Sequence, residues 1–282
     1  MSDYTSHLFI SIQAALAAGK QILEVYESDF AVEYKADNSP LTRADRKSND
    51  ILVAALFEFD IPVLSEEGRE IPYTERKTWE RLWIIDPLDG TKEFIKRNGE
   101  FTVNIALVEY DEPVLGVIYV PVKNVLYFAA RDTGSYKLEN PLDCKWLQKK
   151  PDVQDHPDLM RKIIDSAIRL PAFKPDGAPF TIVGSRSHAT PELEQFVEKK
   201  RREFKQVDFI PAGSSLKICL VAEGKADIYP RLGPTMEWDT AAGHAIAQYS
   251  GAEILIYESG EPMVYNKEDL LNPWFIVARK QS

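Results

Sequence analysis

The sequence predicts an α/β protein in which helices and sheets form separate layers. Three observations lead to this prediction. Apolar residues recur at three- and four-residue steps near the N-terminus, β-rich segments cluster in the middle of the chain, and strands alternate with helices after residue 180. The 282 residues, 44% of them apolar, are enough to bury a large core.

Two amphipathic helices are predicted at the start of the chain. The apolar spacing predicts the first over residues 3–28. The second is predicted over residues 42–59, with Thr42 as its N-cap. A short extended segment at residues 32–35 lies between them.

Strands dominate the rest of the first half. One strand is predicted at residues 61–64, where it leads to a pair of glutamates. Another is predicted at residues 82–85, ending at Asp86 because Pro87 prevents the strand from continuing. An antiparallel meander is predicted from segments rich in β-branched and aromatic residues, at 101–110, 114–120 and 125–130.

The second half alternates strands and helices. We therefore divide the chain into a first half (1–140), a connecting segment rich in proline and charge (141–179) and a second half (180–282) that together form one unit. A short helix is expected at residues 159–168. The later elements are predicted at 180–183, 206–210, 226–229, 253–257 and 275–278 for strands, and at 191–204, 215–222 and 239–250 for helices.

The charge balance of the chain is acidic. There are 34 basic and 44 acidic side chains, which gives a net charge of −10. Proteins that bind nucleic acid usually show the opposite balance because they neutralise backbone phosphates. The sequence therefore indicates no nucleic-acid partner, and a phosphorylated substrate would need a metal ion to supply local positive charge.

The cysteines and the N-terminus favour a cytoplasmic location. Cys144 and Cys219 stand in unrelated contexts, without the Cys/His clusters of a zinc site. Residues 1–19 lack the basic start and continuous apolar run of a signal peptide. No apolar run approaches the roughly 20 residues that span a bilayer, so no transmembrane segment is expected. Peripheral association with the inner face of the cell membrane stays open.

The most informative segment is the turn at residues 83–91. Asp86 and Asp89 can face one point there, and their repulsion is costly unless a cation lies between them. The carbonyl of Leu88 adds a neutral oxygen, and ligands that are all oxygen favour a hard ion such as Mg²⁺. The simpler alternative is that Asp-Pro and Asp-Gly only mark turns.

Two other acidic positions suggest a shared site. Glu66 follows a strand, where α/β folds often bind ligands. Asp239 stands at the start of a helix of small residues, where the simpler interpretation is an N-cap.

Together these segments resemble the signatures of the lithium-sensitive inositol monophosphatase superfamily. Residues 86–91 read Asp-Pro-Leu-Asp-Gly-Thr, and residues 238–243 read Trp-Asp-Thr-Ala-Ala-Gly. The resemblance covers essentially the whole chain and implies a sugar-phosphatase-like αβαβα sandwich. Four further segments resemble the bacterial CysQ-type branch of 3′(2′),5′-bisphosphate nucleotidases: 90–95, 184–188, 213–217 and 229–231.

The resemblance implies a metal site in the first half that holds two or three Mg²⁺ ions. Asp86 would bridge the metals. Glu66 and the Leu88 carbonyl would hold the metal that activates water. Asp89 and Asp239 would hold the metal near the leaving oxygen.

The resemblance also implies the catalytic residues Glu66, Thr91 and Asp45. Thr91 would orient the attacking water through its hydroxyl, paired with Asp45. A second interpretation of Asp45 stays open, because it stands three residues after Thr42 and could serve only the helix N-terminus.

Substrate contacts are implied mainly in the second half. Gly90 and Thr91, at a helix start, could offer backbone N–H groups to the phosphate. Lys217 could meet the 5′-phosphate as a point charge, and Arg231 could make a bidentate contact to phosphate or ribose. The full implied set is Glu66, Gly90, Thr91, Ser185, His188, Gly213, Lys217, Arg231 and Asp239.

The implied reaction is hydrolysis of the 3′-phosphate of adenosine 3′,5′-bisphosphate to AMP and phosphate, in sulfur assimilation and nucleotide recycling. One alternative is another phosphatase of the superfamily, acting on inositol phosphates or fructose 1,6-bisphosphate. Lys92 and Glu93 after Thr91 argue against it only weakly. A second alternative is a nucleotide-binding sensor on the same scaffold, against which the intact ligand set argues. The oligomeric state, and 3′-phosphoadenosine 5′-phosphosulfate as a substrate, stay open.

Overall fold

The structure, a computed structural model, describes residues 4–34, 40–148, 151–172, 177–185 and 190–279. Within this part of the chain the helices are α1 (Thr5–Tyr26), α2 (Arg43–Leu56), α3 (Tyr73–Arg76), α4 (Thr91–Ile95), α5 (His156–Ser166), α6 (Pro191–Glu203), α7 (Leu216–Glu223) and α8 (Glu237–Tyr249). The strands of the first half are β1 (Val32–Tyr34), β2 (Pro40–Thr42), β3 (Val63–Ser65), β4 (Arg81–Asp89), β5 (Thr102–Glu109), β6 (Glu112–Val120), β7 (Val125–Ala130) and β8 (Gly134–Glu139). The later strands are β9 (Ile168–Arg169), β10 (Phe180–Ser185), β11 (Val207–Ala212), β12 (Ile228–Arg231), β13 (Ala252–Ile256) and β14 (Phe275–Arg279).

The strands form two large sheets and one small hairpin. Strands β3 to β9 make a seven-stranded sheet in chain order, parallel only between β3 and β4. The second sheet has five strands in the order β11-β10-β12-β14-β13, and β10 runs parallel to both of its neighbours. The hairpin β1–β2 leads into α2.

Five layers stack in the order αβαβα. Helices α1, α2 and α5 cover one face of the first sheet, α7 and α8 lie between the two sheets, and α6 packs on the far face of the second. Three separate clusters of buried apolar side chains fill the spaces between these layers. The predicted layered α/β fold and its αβαβα arrangement are therefore confirmed.

Gly116 of β6 allows α8 to lie directly on the first sheet. A Cβ atom at this position would stand 2.2 Å from the carbonyl oxygen of Ala242 in α8, so any larger side chain would push the helix away. This close approach carries Asp239, in the first turn of α8, towards the carboxylates of β4.

Two predictions about the first sheet are wrong. Strand β4 does not stop at Asp86 but continues to Asp89, with a shift of register against β5 between these residues. Pro87 is tolerated because the shift already interrupts the ladder, so its missing N–H loses no bond.

The meander is also longer than predicted. Strands β8 and β9 extend it beyond residue 130, and the two residues of β9 pair with β8 from inside the predicted connecting segment. A strand of two residues is too short to show a period in the sequence. The division into halves at 1–140, 141–179 and 180–282 stays a prediction.

Helix α1 corrects the expectation that no segment reaches membrane-spanning length. Its 22 residues include an 18-residue window of mean hydropathy 1.3, which is long and apolar enough by composition alone. The fold buries 61% of that window, as α1 packs against α2 and the first sheet. Such burial is typical of a core helix.

Candidate active site

Three carboxylates from two elements meet at one point. Asp86 and Asp89 lie at the irregular end of β4, and Asp239 lies in the first turn of α8. Each of the three residues has one carboxylate oxygen that lies within 4.8 Å of an oxygen of each of the other two. Oδ2 of Asp86 is buried and faces no hydrogen-bond donor in the described part of the chain. Because clustered buried carboxylates are costly without a cation, these residues fit a hard metal ion.

Glu66 adds a fourth carboxylate from the end of β3. Its backbone N–H donates to the carbonyl of Ile85 at 3.2 Å, continuing the parallel pairing of β3 and β4. Burial raises the pKa of Asp86 well above its usual value, and the charge of Glu66 is the next largest cause. The structure therefore brings Glu66 beside Asp86, as the sequence predicted.

The same repulsion predicts how stability depends on pH. Burial, followed by the charge of Asp89, raises the pKa of Asp239 from 3.8 to about 8. The native state thus favours the protonated acid, and the stabilisation present below about pH 4 should be lost as the pH rises through about 8. We expect the melting temperature in EDTA to fall across this range and Mg²⁺ to oppose the fall. A metal-free melting temperature that rises from pH 5 to 8 would contradict this.

Asp45 contacts both the N-terminus of α2 and the Thr91 hydroxyl, so it fits both of the roles that the sequence left open. Its Oδ2 accepts hydrogen bonds from the N–H and the hydroxyl of Thr42, at 2.7 and 2.6 Å, and completes a capping box on α2. Its Oδ1 accepts from the hydroxyl of Thr91 at 3.2 Å. The Thr91 hydroxyl also lies 3.4 Å from the carbonyl oxygen of Leu88. A buried carboxylate therefore orients a hydroxyl next to the predicted metal ligands.

The loop before α7 holds Asp89. The N–H of Ser215 donates to Oδ2 of Asp89 at 2.5 Å, and the hydroxyl of Ser214 donates to the Asp89 carbonyl at 2.9 Å. Gly90 permits this contact, because a Cβ there would lie 2.2 Å from Oγ of Ser214 and its φ of +92° disfavours other residues. Gly90 therefore lets the end of β4 and the loop before α7 approach each other closely at the site.

Lys217 is a buried cation, although a lysine on a helix is usually solvated. Only 6% of the residue is exposed. Its Nζ donates to the carbonyl of Ser214 at 2.7 Å and lies 5.5 Å from the ring centroid of Tyr229. Burial lowers the pKa of Lys217 to about 8, against the opposing charge of Asp89. The helix thus presents an ammonium close to the acidic cluster.

A cleft of about 130 Å³ opens beside the carboxylates. Glu66 lies next to the cleft because it stands beside Asp86. Thr91 lies next to it as well, where its hydroxyl donates to Asp45. His188 lies outside the described residues. Six of the predicted substrate residues line the cleft: Gly90, Ser185, Gly213, Lys217, Arg231 and Asp239.

Several polar residues that were not predicted lie behind the carboxylates. Thr102 and Asn104 of β5 each place a side-chain oxygen 2.8 Å from the hydroxyl of Ser215. Their two-residue spacing in an apolar strand was a signal that they share one face. Glu100 accepts from the N–H of Gly213 at 2.9 Å, a contact between distant segments that no local pattern predicts. Other overlooked residues of the cleft are Glu93, Ile218, Thr235, Thr240 and Phe275.

The fold and the site define a layered α/β protein with a cluster of carboxylates, which could hold a metal ion, beside a cleft. The chain belongs to the inositol monophosphatase family, whose model matches residues 3–279.

Individual relatives indicate a narrower class within this family. The 3′(2′),5′-bisphosphate nucleotidase CysQ of Shigella flexneri is 43% identical over 274 residues, which cover 94% of this chain and 97% of the relative. The protein of the same name from Haemophilus influenzae is 37% identical, with 95% and 91% covered. The crystal structure of CysQ from Bacteroides thetaiotaomicron has 51% sequence identity, a TM-score of 0.87 and 99% coverage of both chains.

Proposed function

We propose that this protein is a Mg²⁺-dependent 3′(2′),5′-bisphosphate nucleotidase that removes the 3′-phosphate of adenosine 3′,5′-bisphosphate. The products are AMP and inorganic phosphate. The observation that carries the proposal is the presence of a buried lysine, Lys217, in the same cleft as an acidic cluster. The cluster needs metal ions to accept one phosphate, whereas the lysine can bind a second phosphate without one. The relatives named as nucleotidases support the same substrate class.

The ligand set of the site suits two or three Mg²⁺ ions. Glu66 and the Leu88 carbonyl would hold one ion, Asp89 and Asp239 would hold another, and Asp86 would be shared between them. When bound, the ions would stabilise negative charge on the attacking and leaving oxygens.

The pair of Thr91 and Asp45 would manage the proton of the attacking water. The Thr91 hydroxyl donates its own proton to Oδ1 of Asp45, so its oxygen is free to accept one from water. As the water attacks phosphorus and the bond from phosphorus to the 3′ oxygen breaks, the water proton can pass to Oγ1 of Thr91 while the threonine proton passes to Asp45, and the 3′ oxygen takes a proton from solvent. Thr42 holds Asp45 in place for this transfer through two hydrogen bonds.

A second cavity favours a nucleotide over an inositol phosphate. It has a volume of about 280 Å³ and shares Ser185, Tyr229 and Arg231 with the first cleft. It continues the site away from the carboxylates, past Lys92 and Pro230. A substrate that extends beyond its reacting phosphate can use this space, which a single inositol ring would leave empty.

Both cysteines are free thiols in the structure, which supports a cytoplasmic location.

We expect activity to require Mg²⁺, because the predicted ligands are all oxygen atoms. EDTA should abolish phosphate release, and added Mg²⁺ should restore it, whereas a zinc-selective chelator should have no effect. The family resemblance also implies inhibition by Li⁺ and competition by Ca²⁺. Full activity in metal-free buffer would overturn the proposed use of the acidic cluster.

Identifying the nucleotide product tests which phosphate reacts. Chromatography after incubation with adenosine 3′,5′-bisphosphate and Mg²⁺ should show AMP. Adenosine 3′-phosphate as the product would mean that the substrate binds in the opposite direction. Tight binding of the nucleotide without any turnover would favour the sensor alternative.

A further inference from the structure

The first turn of α8 is fixed by an ion pair between a buried carboxylate and a partly exposed lysine. Glu237, two residues before Asp239, is fully buried, and its carboxylate accepts from Nζ of Lys267 at 2.6 Å. The same carboxylate accepts from the backbone N–H groups of Asn266 and Lys267, at 2.7 and 3.0 Å. Each oxygen of Glu237 therefore has a donor on the loop that follows β13.

Asn272 fixes the same turn from the end of that loop. Its side-chain amide donates to the carbonyl of Met236 at 2.7 Å and to the hydroxyl of Thr240 at 3.0 Å. Its backbone N–H donates to the carbonyl of Thr235 at 2.8 Å. The residues on both sides of Asp239 are thus bound to one loop.

Arg76 connects this loop to the segment that follows Glu66. Arg76 lies in α3, the first helix after Glu66, and is only 2% exposed. Its Nη1 donates to Oδ1 of Asn266 at 2.8 Å and to the carbonyl of Lys267 at 3.0 Å. Asn266 returns a bond from Nδ2 to the carbonyl of Arg76 at 2.9 Å. Nε of Arg76 donates to the carbonyl of Ile71, within its own segment.

A continuous set of polar contacts, anchored on the buried Arg76 and Glu237, therefore joins the elements that carry two predicted metal ligands. We propose that Arg76, Glu237, Asn266 and Lys267 form a strut that sets the position of Asp239 relative to Glu66, and so sets the affinity for Mg²⁺. These are positioning residues, because they touch one another and the backbone, not the reacting atoms. The inference rests on the proposed function only in taking the carboxylate cluster as the metal site.

The need for such a strut follows from charge. Without metal, the four carboxylates repel one another, and α8 could relieve the repulsion by moving its first turn away from β4. A helix end can shift only if its own contacts give way, and the ion pair with the loop opposes that shift. Loss of the strut should leave the ligands present but misplaced, which lowers metal affinity more than it changes the reaction at saturating metal.

Lys267→Met tests the strut, with Lys137→Met as its matched control. Lys137 makes a comparable ion pair with Glu223 at 2.5 Å, at the C-terminal end of α7, whereas the N-terminal end of α7 is the one that contacts Asp89 through Ser215. Titration calorimetry with Mg²⁺ alone should show affinity about tenfold weaker for Lys267→Met and within about twofold of wild type for Lys137→Met. Both variants should lower the melting temperature.

Kinetics provide a second readout. For Lys267→Met the Mg²⁺ concentration for half-maximal activity should rise about tenfold, while kcat at saturating Mg²⁺ stays within about threefold of wild type. Arg76→Lys, which keeps the charge but not the forked geometry, should act in the same direction and is less disruptive than removal of the arginine.

The outcomes separate the strut from the proposed function. If the wild type binds Mg²⁺ and both strut variants bind it equally well, the strut has no role beyond stability and the inference is wrong. If Lys137→Met weakens Mg²⁺ as much as Lys267→Met, the effect is general destabilisation and the inference is also wrong. If the wild type itself binds no Mg²⁺, the proposed metal site is wrong and the strut, which is defined by that site, is wrong with it.

Discussion

Asp86→Asn should reduce kcat at least about a thousandfold while the fold stays intact. The change removes the charge of the carboxylate that would bridge the metals, and a loss of about 4 kcal/mol of transition-state stabilisation corresponds to three powers of ten. The asparagine has the same shape, so packing around this buried position should persist. Phosphate release from adenosine 3′,5′-bisphosphate at saturating Mg²⁺ measures the effect.

The same variant should be at least as stable as wild type without metal. Burial and the charge of Glu66 raise the pKa of Asp86, so ionising this group in the native state is unfavourable. Replacing it by a neutral amide removes that repulsion at neutral pH. Melting temperatures in EDTA measure this, with Asp132→Asn as an exposed control that should change neither activity nor stability. A kcat near that of wild type would show that Asp86 is only a turn residue.

Lys217→Ala should raise KM for adenosine 3′,5′-bisphosphate by roughly ten- to a hundredfold. A hydrogen bond to a charged group contributes about 1.5–3 kcal/mol, which corresponds to this range. In the structure the ammonium donates to the Ser214 carbonyl and lies over the Tyr229 ring. A second phosphate would bind it more strongly than either, because both groups would then be charged. For adenosine 3′-phosphate, which has no 5′-phosphate, KM should change much less.

Two further variants separate charge from packing. Lys217→Met keeps an unbranched stem beside Tyr229 and should raise KM for the bisphosphate almost as much as alanine does. Lys162→Ala removes an exposed lysine from α5 and should leave both KM values unchanged. If Lys217→Ala weakens both substrates equally, the lysine does not bind the 5′-phosphate.

The sequence was most informative where chemistry and local structure coincide in one short segment. Asp86 and Asp89 stand three residues apart, so their proximity needed no knowledge of the fold. Thr42 and Asp45 form a capping box with its own local signal, and the structure adds the contact to Thr91 that this signal does not contain.

Features decided by distant contacts were missed. The register shift that lets β4 pass through Pro87 depends on its pairing with β5. The burial of Lys217 depends on how α7 packs. The local sequence around it is equally typical of a helix that exposes its lysine to solvent. The length and composition of α1 also fit either a membrane span or a core helix until the partners of its apolar face are known. In each case tertiary packing decides between structures that the local sequence allows equally.

The substrate preference of the wild-type enzyme is the measurement on which the proposal depends. With saturating Mg²⁺, kcat/KM for adenosine 3′,5′-bisphosphate should exceed that for inositol 1-phosphate by at least about a hundredfold, because only the nucleotide can engage Lys217 and the second cavity. If inositol 1-phosphate is hydrolysed equally well or better, the nucleotidase assignment is wrong and only membership of the inositol monophosphatase family stands.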